Sequence, residues 1–372
     1  TCAVTAEAEK KSRQAIARVR AVAPKARIIV CGCAAERTPE LFLKKQNVRL
    51  VTGARQKSKI LALLDEEGVR LDEEDRRYDE MLPPVSLKTR AFVKIQDGCN
   101  NFCSYCIIPY LRGRSRSRTV ESAAEEILSA PAEEVVITGI DISSFRDGEK
   151  DLADLLLAVK DAPCRIRLGS LEVNVVTPRL LDAAKSVRDF APHFHLSLQS
   201  GSDGVLKKMN RHYTAEEYLQ KVELIRSYFP DAAITTDVIT GFPTETEEQF
   251  AETCAFVRKV GFSQIHCFSY SRRTGTNAAK LAELPAETKK RRLHEMLAIA
   301  GQLRKEYETK FLGKVLELVP EEKKGEYTTG YSQNYIRLYV RGEVLKKARV
   351  VAVEVMEDGL LAVQEAKGET NG

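Results

Sequence analysis

A chain of 372 residues is too long for one hydrophobic core and long enough for two or three domains. Its 43% hydrophobic and 30% charged residues are ordinary for a globular protein, and the lack of any apolar run of 18 or more residues excludes a membrane-spanning helix. The net charge of +5 is uneven: residues 1–60 hold 14 Lys/Arg against 4 Glu, 61–80 hold 9 acids against 3 Arg, and 88–118 hold 7 Lys/Arg against Asp97 alone, which suits a polyanionic partner or simply solvated helix faces.

Residue 1 is Thr, and "TCAVT" reads as the end of a strand, so a preceding segment is expected. Residues 5–20 read as a basic helix, "ARIIVCGCA" (26–34) as a buried strand entering a Gly turn, "VRLVTG" (48–53) as another strand, and Ser58–Glu67 as a helix. These make an α/β domain over 1–65. Residues 66–88, charged and then Pro-rich, read as a linker. Apolar runs at 91–96, 133–139, 164–170, 193–199, 232–240 and 262–270 then alternate with helical segments. Thr177-Pro178 marks a helix start, and Thr214-x-x-Glu217 and Thr244-x-x-Glu247 read as capping boxes. Six such units over 89–311, closed by a long amphipathic helix near 285–311, predict a parallel, partial (βα)6 barrel with its chemistry at the C-terminal strand ends. From 312 to 372 short strands and turn residues, including "EDG", predict a small β-barrel of a kind that often binds RNA or oligosaccharide.

The nine cysteines are odd in number and follow no secretory signal. That argues against a disulfide framework and for metal or redox use in a reducing cytoplasm. "DGCNNFCSYC" (97–106) places Cys99, Cys103 and Cys106 in one loop. A structural zinc site wants four ligands in paired knuckles, and an electron-transfer ferredoxin wants four thiolates. Neither a second C-x2-C nor a nearby His is present. The remaining reading is a 4Fe–4S cluster on three thiolates, with one iron open to a further ligand.

"CNNFCSYC" resembles the C-x3-C-x-aromatic-C signature of radical S-adenosylmethionine (SAM) enzymes, with Tyr105 as the aromatic, where SAM is the fourth ligand. "KIQDGCNNFCSYCIIPYLRGRSRSR" (94–118), "RLGSLE" (167–172), "LSLQSGSD" (196–203), "TTDVITGFPTET" (235–246), "TCAVTAEAEKKSRQ" (1–14) and "VCGCA" (30–34) are together similar to the methylthiotransferase branch of that superfamily. The resemblance implies a second 4Fe–4S cluster in the N-terminal domain, with Cys2 and Cys33 as ligands and a third cysteine upstream of residue 1. It also implies a C-terminal RNA-binding TRAM barrel, tRNA as partner, and a low-potential electron donor such as a flavodoxin or ferredoxin. The reaction implied is replacement of a C–H bond by C–SCH3, begun by a 5′-deoxyadenosyl radical made from SAM. "KSRQAI" and "RGRSRSR" are most similar to the branch acting on threonylcarbamoyladenosine beside the anticodon. The same chemistry on isopentenyladenosine or on a ribosomal-protein aspartate is the alternative, and a non-catalytic iron–sulfur RNA-binding or redox-sensing protein is the alternative of another class.

Further positions follow from the resemblance. Gly139, Ser170, Glu172, Gln199 and Asp237, with Tyr105, are expected at the SAM site or in structural turns and ladders. Arg112, Arg114, Arg116 and Arg118 recur at every second residue; in an extended strand they share one face, toward phosphates, the SAM carboxylate or solvent. Phe268 and Tyr270 are read as flanking the adenine or as core. His193 and His195 are read as ligands or as a polar network. Cys31, Cys164, Cys254 and Cys267 are read as small buried hydrophobes.

Overall fold

The computed structural model describes residues 1–55, 57–71, 77–80 and 89–365. The first helix, Ala6–Val22, is capped by Thr5 and rests on a three-stranded parallel sheet. Its strands are Ile28–Val30, Val48–Thr52 and Gly68–Arg70. The third strand falls inside the predicted linker, so the N-terminal sheet runs on to Arg70. Residues 72–76 and 81–88 of that linker lie outside the described residues. The helix expected at Ser58–Glu67 is a shorter 3-10 turn, Lys57–Leu63.

The alternating segments form a half-barrel. Arg90–Asp97, Glu134–Gly139 and Arg165–Leu168 pair in parallel. The third chain segment breaks its ladder at Gly169, resumes as Ser170–Leu171, and pairs on to His193–Leu196, Ala233–Thr240 and Gln264–Ser269. Six strands in chain order therefore curve into an open sheet, as the sequence predicts. Val135, Ile137, Ile166, Phe194, Leu196 and Val238 are fully or almost fully buried between this sheet and the outer helices. Alternate residues face the lumen.

Two of the three helix starts stand where the sequence places them. Thr177 caps Pro178–Ser186, and Thr214 with Glu217 forms a capping box. The third is displaced by two residues: Thr246, with Gln249, caps Glu247–Val260. Thr244 has φ +67° in the preceding turn, and the main-chain N–H of Glu245 donates to Phe242 there. The extended backbone that a cap requires is reached only at Thr246.

A closed five-stranded barrel, Val315–Lys324, Tyr327–Tyr331, Arg337–Arg341, Gly359–Gln364 and Ala348–Met356, follows the long helix Ala286–Thr309. Residues 366–372 of the predicted C-terminal region lie outside the described residues. Tyr307 and Phe311 pack into its core with Ala233. Its outer residues meet the N-terminal ends of the half-barrel strands. Arg90 binds Glu134 and Glu321; Arg165 pairs with Asp189 and Glu317, both of which also hold Lys347. The small barrel thus caps the half-barrel opposite the strand ends where the cysteine loop emerges. No described helix is long and apolar enough to cross a membrane.

Candidate radical SAM site

The cysteine loop begins where the first barrel strand ends. Gly98 has φ +73°, and a Cβ there would stand 2.0 Å from the Arg114 carbonyl oxygen, so only glycine admits the approach of the two segments. Cys99 N–H donates to the Gly113 carbonyl at 3.2 Å, and Cys106 N–H to Cys103 at 2.9 Å. Ser104 anchors the far side, its N–H to Met209 at 2.9 Å and its hydroxyl to Lys208 at 2.7 Å. The loop is therefore tied to both flanks of the half-barrel.

Asp97 is the ionic hub beneath it. Its carboxylate binds Lys94 (2.7 Å), Arg112 (2.9 Å) and Arg116 (3.2 Å) and accepts the Gly98 N–H at 2.8 Å. Burial alone would raise its pKa, but the Arg112, Lys94 and Arg116 charges hold it below the usual carboxylate range. This corrects the expected arginine face. Arg112 ends the helix Ile108–Arg112, Arg116 starts a two-residue strand, and Arg118 binds Glu126 and Glu80. All three are buried and paired with carboxylates, Arg112 and Arg116 with Asp97 under the loop and Arg118 with Glu126 and Glu80, so their charges are closed to phosphates. Arg114 alone is exposed, with its guanidinium 4.6 Å from the Phe102 ring.

The three sulfurs each receive one N–H: Cys99 from Asn101 (3.5 Å), Cys106 from Ile108 (3.4 Å) and Cys103 from the Arg211 guanidinium (3.3 Å). Burial pushes the Cys99 thiol up to about 12 and the Cys106 thiol up to about 11. Thiolates in such a place need a metal cation as counter-charge, and N–H donors to sulfur are what cluster thiolates accept. Three thiols on one loop, each with an N–H donor, thus fit a cluster with one open iron.

The cysteines line a cavity of about 160 Å³, together with Tyr105, Ser170, Glu172, Gln199, Asp141 and Arg211. Of the residues expected there, Tyr105, Ser170, Glu172 and Gln199 are present. Gln199 has φ +69°, a strained conformation for its type, fixed by bonds between its main chain and both Asp237 (2.8 Å) and Ile239 (2.9 Å). Gly139 stands behind the lining: a Cβ there would be 2.9 Å from the Gln96 carbonyl oxygen, so its small size serves the approach of the first two strands. Asp237 also lies outside this cavity, one layer deeper, paired with His195 at 3.3 Å.

Two charged lining residues, Arg211 and Asp141, escaped the sequence reading. Arg211 binds Glu172, Cys103 and the Ser197 carbonyl, and its own segment, "MNRHYT", has no pattern that marks it. Asp141 lies 3.9 Å from the Cys99 sulfur and accepts from Asn101 at 3.2 Å; burial raises its pKa. Burial also raises the pKa of Glu172, and Arg211 opposes the shift.

In the N-terminal domain Cys33 opens the helix Cys33–Arg37, and Cys2 is exposed. Burial raises the Cys33 pKa; smaller influences come from Arg112 and Cys2, and Cys106 in turn feels Cys33. Cys33 packs on a buried cluster that Ile107 and Leu111, just after the cysteine loop, also join, so the two segments meet at the domain boundary. Tyr270 is core, against Phe242, whereas Phe268 is exposed. His193 and His195 both bond the Thr235 hydroxyl at 3.0 Å, as a polar network. Cys164 and Cys254 are buried, as expected; Cys31 and Cys267 are half-buried.

Residues 93–257 match the radical SAM superfamily, and residues 1–53 match uncharacterized protein family UPF0004. The solved structure of the radical SAM methyltransferase TsrM from Kitasatospora setae superposes with a TM-score of 0.58 at 13% identity, over 73% of this chain and 62% of that one, a likeness of fold. The chain is 36% identical over 383 residues to the threonylcarbamoyladenosine tRNA methylthiotransferase MtaB of Bacillus subtilis, covering 96% of this chain and 85% of that protein. It is 32% identical over 381 residues to the tRNA-2-methylthio-N(6)-dimethylallyladenosine synthase of Desulfitobacterium hafniense, covering 96% and 85%. A three-cysteine loop at the mouth of a half-barrel, and relatives of this similarity along nearly the whole chain, place it in one family: the protein belongs to the radical SAM methylthiotransferases.

Proposed function

We propose that this protein methylthiolates carbon 2 of threonylcarbamoyladenosine beside the anticodon of tRNA. The observation that carries the substrate assignment is the space beside the cysteine cavity. It measures about 320 Å³, shares Asn101, Asp141, Glu172 and Arg211 with that cavity, and adds Arg146 and His212. Arg146 suits the threonyl carboxylate through charge-assisted hydrogen bonds; an isopentenyl group would call for an apolar wall. The exposed Tyr110 and Arg114, with the half-buried Phe102 between them, give a neighbouring base a stacking surface, with Phe102 and Tyr110 edge-to-face at 5.7 Å. The exposed Lys10, Lys11 and Arg18 of the first helix offer partners for phosphates.

Cys99, Cys103 and Cys106 would hold the SAM-binding cluster, which supplies the electron that cleaves SAM to a radical able to take hydrogen from an unactivated carbon. Around it the chain's own residues bind and orient. Glu172 and Asp141 suit the amino group of SAM and Arg211 its carboxylate. Tyr105, Ser170 and Gln199 complete the wall. Cys2 and Cys33 would belong to the second cluster, and the packing of Cys33 on the buried residues that Ile107 and Leu111 join supports that reading. An external low-potential donor such as a flavodoxin or ferredoxin would supply electrons.

Arg211→Leu is expected to weaken SAM binding by about ten- to a hundredfold, the worth of one charge-assisted hydrogen bond of about 1.5–3 kcal/mol. Equilibrium dialysis of the reconstituted protein measures it, and unchanged affinity would remove Arg211 from the cofactor site. The substrate is tested by expressing the protein in cells lacking their own enzyme and digesting their tRNA. Mass spectrometry should find the 2-methylthio form of threonylcarbamoyladenosine. A methylthio group on dimethylallyladenosine alone would transfer the assignment to that base, and no changed nucleoside would end it.

A further inference from the structure

Beneath the cysteine cavity the half-barrel has a polar floor that the site described above does not use. His195 faces inward on the fourth strand, and Asp237 and His266 are register partners on the fifth and sixth. One ring nitrogen of His195, one of His266 and a carboxylate oxygen of Asp237 all lie within 4.8 Å of one another. The His195 and His266 rings are 5.7 Å apart. The Asp237 side chain is 31% exposed and so is open to the lumen.

The hydrogen bonds within this floor show which atoms remain for a ligand. The Thr235 hydroxyl lies between His193 Nε2 and His195 Nδ1, each at 3.0 Å, and His195 Nε2 meets Asp237 Oδ2 at 3.3 Å. One orientation satisfies every link. His193 Nε2–H donates to Thr235, Thr235 donates to His195 Nδ1, and His195 Nε2–H donates to Asp237. It leaves only the acceptor nitrogen of His193 unpaired, which costs less than an orphaned buried donor. His195 is thereby the orienting group, and Asp237 is held as a carboxylate facing inward. Among the described residues, Asp237 Oδ1 and the ring nitrogens of His266 meet no hydrogen-bond partner. Burial lowers the His266 pKa, so its ring is neutral near pH 7 and carries one N–H donor.

A carboxylate acceptor beside an imidazole donor is complementary to one edge of adenine, where N6–H donates and N7 accepts. We infer that Asp237 and His266 read the N6–H/N7 edge of the target adenine, Asp237 accepting from N6–H and His266 donating to N7. This deepens the assignment of a modified adenosine as substrate and rests on it. With that edge against the floor, carbon 2 lies across the six-membered ring and faces the cysteine cavity above. A substituent folded toward N1 points to the mouth, where Arg146 lies. Guanine, which offers an acceptor in place of N6–H, would set oxygen against the Asp237 carboxylate. On this reading Asp237 acts on the base and not on SAM.

The test uses the reconstituted two-cluster protein and labelled anticodon stem-loop RNAs, with dissociation constants read by fluorescence anisotropy. The target adenine carries either the threonylcarbamoyl or the dimethylallyl group, each with N7 intact or replaced by C–H. For the unaltered protein the 7-deaza change should weaken binding about tenfold with whichever substituent binds, the worth of one buried hydrogen bond. For His266→Phe the 7-deaza penalty should vanish, because the donor is already gone; a merely structural role for His266 would leave the penalty in place. Equal penalties in both proteins, or none in either, would overturn the inference. So would a stoichiometric zinc, cobalt or nickel ion that His266→Phe loses, since the same three side chains can serve as metal ligands. Product formation, read separately by mass spectrometry, decides the substituent, so a failed substrate assignment and a failed ring-edge reading give different results.

Discussion

The Cys99→Ala/Cys103→Ala/Cys106→Ala protein is expected to form no 5′-deoxyadenosine and to lose the SAM-site share of its iron, while its far-ultraviolet circular dichroism stays that of the unaltered protein. The loss should be complete, because these residues alone bring three thiols to the lip of the half-barrel with a main-chain or guanidinium N–H on each. The fold should survive, because the loop hangs from the Asp97 hub and the Ser104 anchor, and neither uses a cysteine side chain. The assay is anaerobic reconstitution followed by chromatography of SAM cleavage products. Retained 5′-deoxyadenosine formation would refute the cluster assignment, and a collapsed circular dichroism spectrum would show that the thiols carry the loop's structure.

Glu134→Leu should cost about 3–5 kcal/mol, a large share of the roughly 5–15 kcal/mol that holds a typical protein folded. The Glu134 side chain is fully buried between two arginines, Arg90 at 2.5 Å and Arg167 at 2.8 Å, and these are themselves almost out of solvent. Removing the carboxylate leaves both guanidinium groups without their buried counter-charge at the seam between half-barrel and small barrel. Arg167 also stacks on Tyr335 of the small barrel at 4.6 Å, so the two bodies should loosen together. Urea unfolding of the cluster-free protein measures the change, and a shift worth less than about 1 kcal/mol would contradict the buried-pair argument. The pH dependence has a definite sign. Burial would raise the Glu134 pKa, but Arg167 and Arg90 hold it below its ordinary 4.5. Its stabilisation is therefore complete above about pH 4.5 and is lost as pH falls through the folded value. The gap between unaltered and variant stability should narrow below that pH.

The metal chemistry was legible because it is written locally. Three cysteines within eight residues after a strand form the radical SAM signature whatever surrounds them, and the period of the apolar runs defines parallel strands with the loop at their C-terminal ends. Glu172, Gln199, Ser170 and Tyr105, which the resemblance implies, line one cavity with the three cysteines.

Long-range pairing is not written that way. The spacing of Arg112, Arg116 and Arg118 describes an exposed comb only if the chain is extended, and nothing local reveals that Asp97, Glu126 and Glu80 wait to receive them. Arg211 is 108 residues from Cys103 and enters the site only because the loop after the fourth strand folds back over the cysteines. His195, Asp237 and His266 stand on three different strands and become a floor only through inter-strand register. Residue types, spacing and strand period thus carried the ligand set and the barrel, which depend on neighbours along the chain. Which charges are neutralised inside and which remain for a nucleic acid depends on burial and on partners distant in sequence, and those come into being only when the sheet closes around them.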